Sequence, residues 1–139
     1  MGEVLFLVEA KDGELEKPTF ELIHVAKELS GWLGIKSGAL VLGDNVKELS
    51  EQCSGYGLDK VYRIEDPLLK GFIPDAWVSA LEQVCKKLEP SVVLMSHSPV
   101  GREIAPRIAS RLNTSVTTDC VGLNIDNHDK KIIRTKPIY

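Results

Sequence analysis

The stretch Ser91 to Cys120, SVVLMSHSPVGREIAPRIASRLNTSVTTDC, constrains the fold of this chain more than any other. Val92 to Met95 is an apolar run too short for a helix and rich in β-branched residues, the mark of a buried strand. Ser96-His97-Ser98-Pro99 follows, small and polar, and then a helical pattern. Ile104, Ile108 and Leu112 recur at helical spacing with Ala105 and Ala109 beside them, which makes one closely packable apolar face. Arg102, Arg107 and Arg111 fall off that stripe. A second strand is predicted over Ser115 to Val121. Strand, small-residue loop, helix and strand make a βαβ crossover, and open α/β sheets bind ligands at the carboxyl ends of such strands. A site, if the chain has one, is expected at Ser96 to Arg102.

The remainder repeats this alternation. Glu3 to Glu9 reads as a strand, nearly continuous in apolar residues as a strand covered on both faces should be. Lys11-Asp12-Gly13-Glu14 reads as a turn. A helix is predicted from Pro18 to Leu33 on the stripe Leu22, Val25, Ala26, Leu29 and Leu33, stopped by Gly34. Ala39 to Leu42 is a second strand, and Asp44 or Asn45 is expected to cap a short helix over Val46 to Ser54, ended by Gly55 and Gly57. Lys60 to Ile64 is a third strand and Pro67 to Gly71 a loop. A helix over Pro74 to Leu88 carries Trp77, Leu81, Val84, Cys85 and Leu88 as its buried stripe. Truncating a buried Trp77 would then cost ~3–5 kcal/mol. At the end, Val121 to Ile125 and Lys131 to Ile138 alternate around Asp126-Asn127-His128-Asp129 and predict an antiparallel hairpin. The expected architecture is α/β: one domain over residues 1–139, three αβα layers around a mainly parallel sheet, with that hairpin added at its end.

Charge and cysteine usage exclude several classes. A net charge of −3 disfavours a nucleic-acid or anionic-membrane surface, with the three arginines of the 102–111 helix the only local basic concentration. No apolar run approaches the ~18 residues of a membrane span. The start, MGEVLFLVEA, lacks the basic leader of a signal or transit peptide, so a cytoplasmic protein, bacterial or archaeal rather than mitochondrial, is expected. Cys53, Cys85 and Cys120 are too widely spaced for a disulfide framework or a metal site, and Cys85 is expected in the core.

Recognisable chemistry is missing. The turn after the first strand has one glycine, so the GxGxxG approach to a pyrophosphate is absent, as are a GxxxxGK[ST] loop and a GxSxG elbow. His24 and His128 are expected on the surface. The Ser96-His97-Ser98 cluster leaves two readings open. Two hydroxyls and an imidazole before a helix amino terminus could cradle an anion, with Arg102 adding a charge. The blander reading has Ser98 capping the helix, Pro99 in its first position, and Arg102 paired with Glu103 or Asp119. Pro106 implies either that the helix starts near Ile104 or that it is kinked.

Several segments resemble the amino-terminal domain of the electron-transfer flavoprotein α subunit: VLFLVEAKDGELEKPTFELIHVAKEL, YGLDKVYRIED, SHSPVGREIAPRIASRLNTSVTTDC and IIRTKPIY, in the family's order over nearly the whole chain. The resemblance implies a Rossmann-like fold of the adenine-nucleotide α-hydrolase-like type. It also implies pairing with a β subunit and electron transfer from dehydrogenases to an acceptor through FAD. In the family the FAD is held mainly by a further carboxyl-terminal domain, for which nothing before Tyr139 has a counterpart. The chain is therefore expected to be a non-catalytic scaffold and subunit-interaction domain that binds no cofactor or metal alone and could form a homodimer in isolation. The alternative is a small adenine-nucleotide-binding module using Ser96, Ser98, Gly101 and Arg102.

Overall fold

The computed structural model describes residues 2–96 and 98–112, together with the backbone of 115–117 and 122–124. Expectations for His97, Asp119, Cys120, His128 and the strand Lys131 to Ile138 lie outside the described residues.

Strand β1 (Val4–Leu7) is buried along its whole length and pairs in parallel with two others. On one side lies β4 (Ser37–Gly43), with Val4 opposite Ser37, and beyond it β5 (Lys60–Glu65). On the other lies β6 (Val92–Leu94), with Val4 opposite Val92. Two short strands, β2 (Ala10–Lys11) and β3 (Glu14–Leu15), form a separate hairpin around the predicted Asp12-Gly13 turn. The helices are α1 (Lys17–Leu33), α2 (Lys47–Ser54), α3 (Pro74–Leu88) and α4 (Pro99–Arg111).

Alternation along the strands divides the core in two. Leu5, Leu7, Leu40 and Leu42 face α3 and α4, where they meet Val78, Leu81, Cys85, Ile104 and Ile108. Val4, Phe6, Ala39 and Val41 face α1 and α2, where they meet Leu22, Ala26, Leu29 and Cys53. The predicted three layers are therefore present. The sheet order β5-β4-β1-β6-β8-β7 completes the architecture, β7 being Ser115–Thr117 and β8 Gly122–Asn124. The chain leaves β1 toward β4 on one face and returns through α3 to β6 on the other. The point of reversal, where open α/β sheets bind ligands, lies between β1 and β6.

The far edge differs from the expectation. β7 does not lie beside β6, because β8 comes between and runs antiparallel to both. The strand predicted at Val121 to Ile125 thus takes its described partners from β6 and β7. Pairing of this kind is chosen by register with distant strands, not by local pattern.

Helix ends follow the sequence with one exception, the start of α2. Gly34 closes α1 at φ 71, the left-handed conformation that glycine adopts without a Cβ clash. Neither Asp44 nor Asn45 caps α2; Val46 holds the cap position without a side-chain bond. α4 begins at Pro99 rather than near Ile104, so Pro106 lies inside it and leaves the Arg102 carbonyl without its usual donor. Both residues are exposed, and water can reach that carbonyl. The loop after β5 contains a single 3₁₀ turn over Pro67–Leu69, capped by the Asp66 carboxylate accepting from the Leu68 amide.

Trp77 is only partly buried, and Val78 takes the fully buried place on α3 that the sequence reading assigned to it. The Trp77 indole donates at 3.0 Å to the Gly71 carbonyl on the surface and stacks edge-on against Phe72. Truncating it should therefore cost less than the core figure. His24 is exposed and pairs with Glu28 at 3.0 Å.

Burial pushes the Cys53 thiol from 9.0 up to about 11 and the Cys85 thiol up to about 12. Burial, and then its bond to Glu3, raises the Tyr62 phenol as well. A raised folded-state pKa keeps the proton on, so the stability tied to these groups is complete below the unfolded values and lost as pH climbs through the folded ones. Denaturant midpoints should thus hold steady up to about pH 9 and fall between about 9 and 12, and Cys85→Ala should shallow that fall. Thiol reagents at neutral pH should reach neither Cys53 nor Cys85 before unfolding.

Candidate functional site

The loops after β1 and β6 meet at the reversal point, and an anion already sits there. It is the carboxylate of Glu9, a residue only 7% exposed. The Ser98 hydroxyl donates to Glu9 Oε2 at 2.8 Å, and the Ser96 hydroxyl, 1% exposed, also donates to Oε2. The two hydroxyls lie 2.9 Å apart, so the single Ser96 proton is shared between Glu9 and Ser98.

Each residue is held by a separate element. Ser98 is the amino-terminal cap of α4, its hydroxyl accepting from the Gly101 amide at 3.1 Å while Pro99 opens the helix. Glu9 is fixed through its backbone by Thr19 on α1. The Thr19 hydroxyl accepts from the Glu9 amide and donates to the Glu9 carbonyl, both at 2.8 Å. The Glu16 amide adds a second bond to that carbonyl at 2.9 Å. Gly101 lets α4 approach: a Cβ there would lie 2.0 Å from the Ser96 carbonyl oxygen. The positive end of α4 then favours the carboxylate that its cap holds.

The structure thus brings Ser96, Ser98 and Gly101 together as the sequence suggested. It also supplies a member that sequence reasoning missed, Glu9, taken only as the last residue of a strand. Arg102 is exposed and takes no part in the cluster. It makes no ion pair among the described residues; Glu103, offered as its partner, pairs instead with Arg107 at 3.6 Å. Arg107 also bonds Asp75 on α3. Arg111 and Lys86 each reach Glu82 at 3.0 Å, and those hydrogen bonds hold the Glu82 carboxyl below its ordinary range. The basic helix is therefore largely matched by carboxylates of α3 and of its own turns.

A cavity of about 450 Å³ opens at the carboxyl ends of β1 and β4. Glu9, Asp12, Glu16 and Asp44 line it, Phe72 and Trp77 form part of its wall, and among the described residues no lysine or arginine does. Such a wall repels phosphate. Among the described residues no cluster of His, Cys, Asp and Glu is placed to hold a metal ion, and no helix is long and apolar enough to cross a membrane.

Comparison with known proteins agrees with this architecture. The chain is 34% identical to the electron transfer flavoprotein subunit alpha of Thermoanaerobacterium thermosaccharolyticum over 99% of its length and 41% of that protein's. It is 34% identical to the protein of the same name from Bacillus subtilis, over 100% of the chain and 42% of the relative. It is 36% identical to the acryloyl-CoA reductase electron transfer subunit beta of Anaerotignum propionicum, over 89% of the chain and 34% of the relative. The chain spans less than half the length of these relatives. Residues 4–139 match the electron transfer flavoprotein domain, and the chain belongs to that family.

Proposed function

We propose that this chain is the scaffold and subunit-pairing domain of an electron-transfer flavoprotein, with the flavin carried by other parts of the assembly. One observation carries the reading: the crevice where an α/β sheet would receive a phosphate-bearing ligand is filled by Glu9. A carboxylate in that seat opposes a second anion, and both serine hydroxyls that would greet a ligand are engaged. The domain contributes a rigid frame and an outer surface, not a catalytic set. Its partners are the β subunit of the complex and, through the complex, the dehydrogenases that deliver electrons to FAD.

A second reading, a small adenine-nucleotide module, draws support from the exposed Arg102 beside the α4 amino terminus. It requires Glu9 to leave its seat. Pairing is the direct test of the first reading. The purified chain is mixed with the β subunit of the same organism and the mass of the product measured by light scattering. A one-to-one complex is expected, burying about 1,000 Å² or more. Two separate species at micromolar concentration would refute the reading.

A further inference from the structure

Resting on that pairing role, we infer that the β subunit docks on the segment from Asp66 to Trp77, placing a lysine or arginine into the acidic cavity and a shallow apolar hollow over Leu68 and Ile73. Three large apolar side chains project from this segment: Leu68 is 70% exposed, Ile73 50% and Phe72 38%. Single exposed leucines are ordinary, but several within six residues on one rigid segment mark a surface that meets something. The segment is fixed in place. Asp66 caps its 3₁₀ turn, Leu69 is buried in the core beneath it, Trp77 bonds the Gly71 carbonyl, and Phe72 packs against Trp77. A preordered apolar projection binds with little loss of conformational freedom, the property of an interface anchor.

Charge decides the occupant. On one side of the segment lies the cavity lined by Glu9, Asp12, Glu16 and Asp44. On the other, a groove of about 350 Å³ runs between β5 and α3; Glu65 there is paired with Arg63 at 2.9 Å, and Asp66 and Lys87 share its lining, so that side is near neutral. Lys70 is the one cation on the segment itself. An acidic cavity beside an apolar projection selects a partner whose matching surface is apolar with a basic group at that edge. A second copy of this chain would bring the same carboxylates against these and is disfavoured.

The test measures binding of the β subunit to the chain by calorimetry at low and high salt. The joint substitution Leu68→Asp and Ile73→Asp should weaken binding by at least ~30-fold, as loss of central apolar anchors does. Asp12→Lys with Asp44→Lys should weaken it less and flatten its salt dependence. These residues are on the surface, so thermal melting should stay near wild type and confirm folding. Trp32, 74% exposed on α1, serves as the control, and Trp32→Ala should bind normally. Wild-type affinity in the Leu68/Ile73 variant, or loss in the Trp32 variant alone, would overturn the docking surface while leaving the pairing role intact. No binding by wild type would overturn both. A homodimer of the wild-type chain, dissolved by the Leu68/Ile73 change, would assign the surface to a second copy and overturn the inference.

Discussion

Gly101→Ala is expected to destabilise the fold by about 3 kcal/mol, the upper end of what forced overpacking costs. Its new methyl would stand 2.0 Å from the Ser96 carbonyl oxygen, a backbone atom that no rotamer change can move aside. Relief requires α4 to shift away from the β6 loop. That shift pulls Ser98 from Glu9 and disturbs the packing of Ile104 and Ile108, both fully buried against the sheet. The local helix preference of alanine over glycine, worth ~1 kcal/mol, acts in the opposite direction and loses. Chemical denaturation should show a lower midpoint with an unchanged slope. Gly31→Ala offers a control, since a Cβ on that glycine, also within a helix, meets nothing within 4 Å; it should be neutral or stabilising.

Glu9→Leu should cost about 2–3 kcal/mol, even though it takes a carboxylate out of the interior. Relief from desolvation favours the variant, and loss of hydrogen bonds opposes it. The second effect prevails because the Ser96 hydroxyl is almost wholly buried and the α4 amino terminus loses its anion. Removing one member of a buried polar cluster leaves the others unsatisfied, whereas removing them together is nearly neutral. Adding Ser96→Ala to Glu9→Leu should therefore recover part of the loss, and the two changes should be markedly non-additive. Glu9→Gln keeps an oxygen acceptor in place and should lose least. Additive effects of Glu9→Leu and Ser96→Ala would show that the cluster does not act as a unit.

Most of the architecture was legible because short apolar runs and helical stripes alternate with little ambiguity. Gly34, Pro99 and Ser98 mark helix ends by local chemistry that the structure retains. Trp77 was misplaced because periodicity identifies a face and not depth; the edge of that face belongs to Trp77 and its centre to Val78. The β7-β8-β6 pairing was hidden for a different reason, since strand partners across a sheet leave no local signal.

Glu9 was readable in principle. Leu5 and Leu7 face α3 and α4, and strand parity puts residue 9 on that same side, toward the α4 amino terminus. A carboxylate two residues beyond a buried strand, aimed at a helix start with serines at its entrance, is a pairing that the sequence contained. What concealed it is that Glu9 closes an apolar run and reads only as the last residue of a strand.

Equilibrium titration of the purified chain with FAD, AMP and ADP tests the central claim most directly. With Glu9 in the seat, no nucleotide should bind with a Kd below about 1 mM, equivalent to ~4 kcal/mol. Stoichiometric FAD or AMP on the wild-type chain, lost on Arg102→Ala or Ser98→Ala while the fold persists, would contradict it.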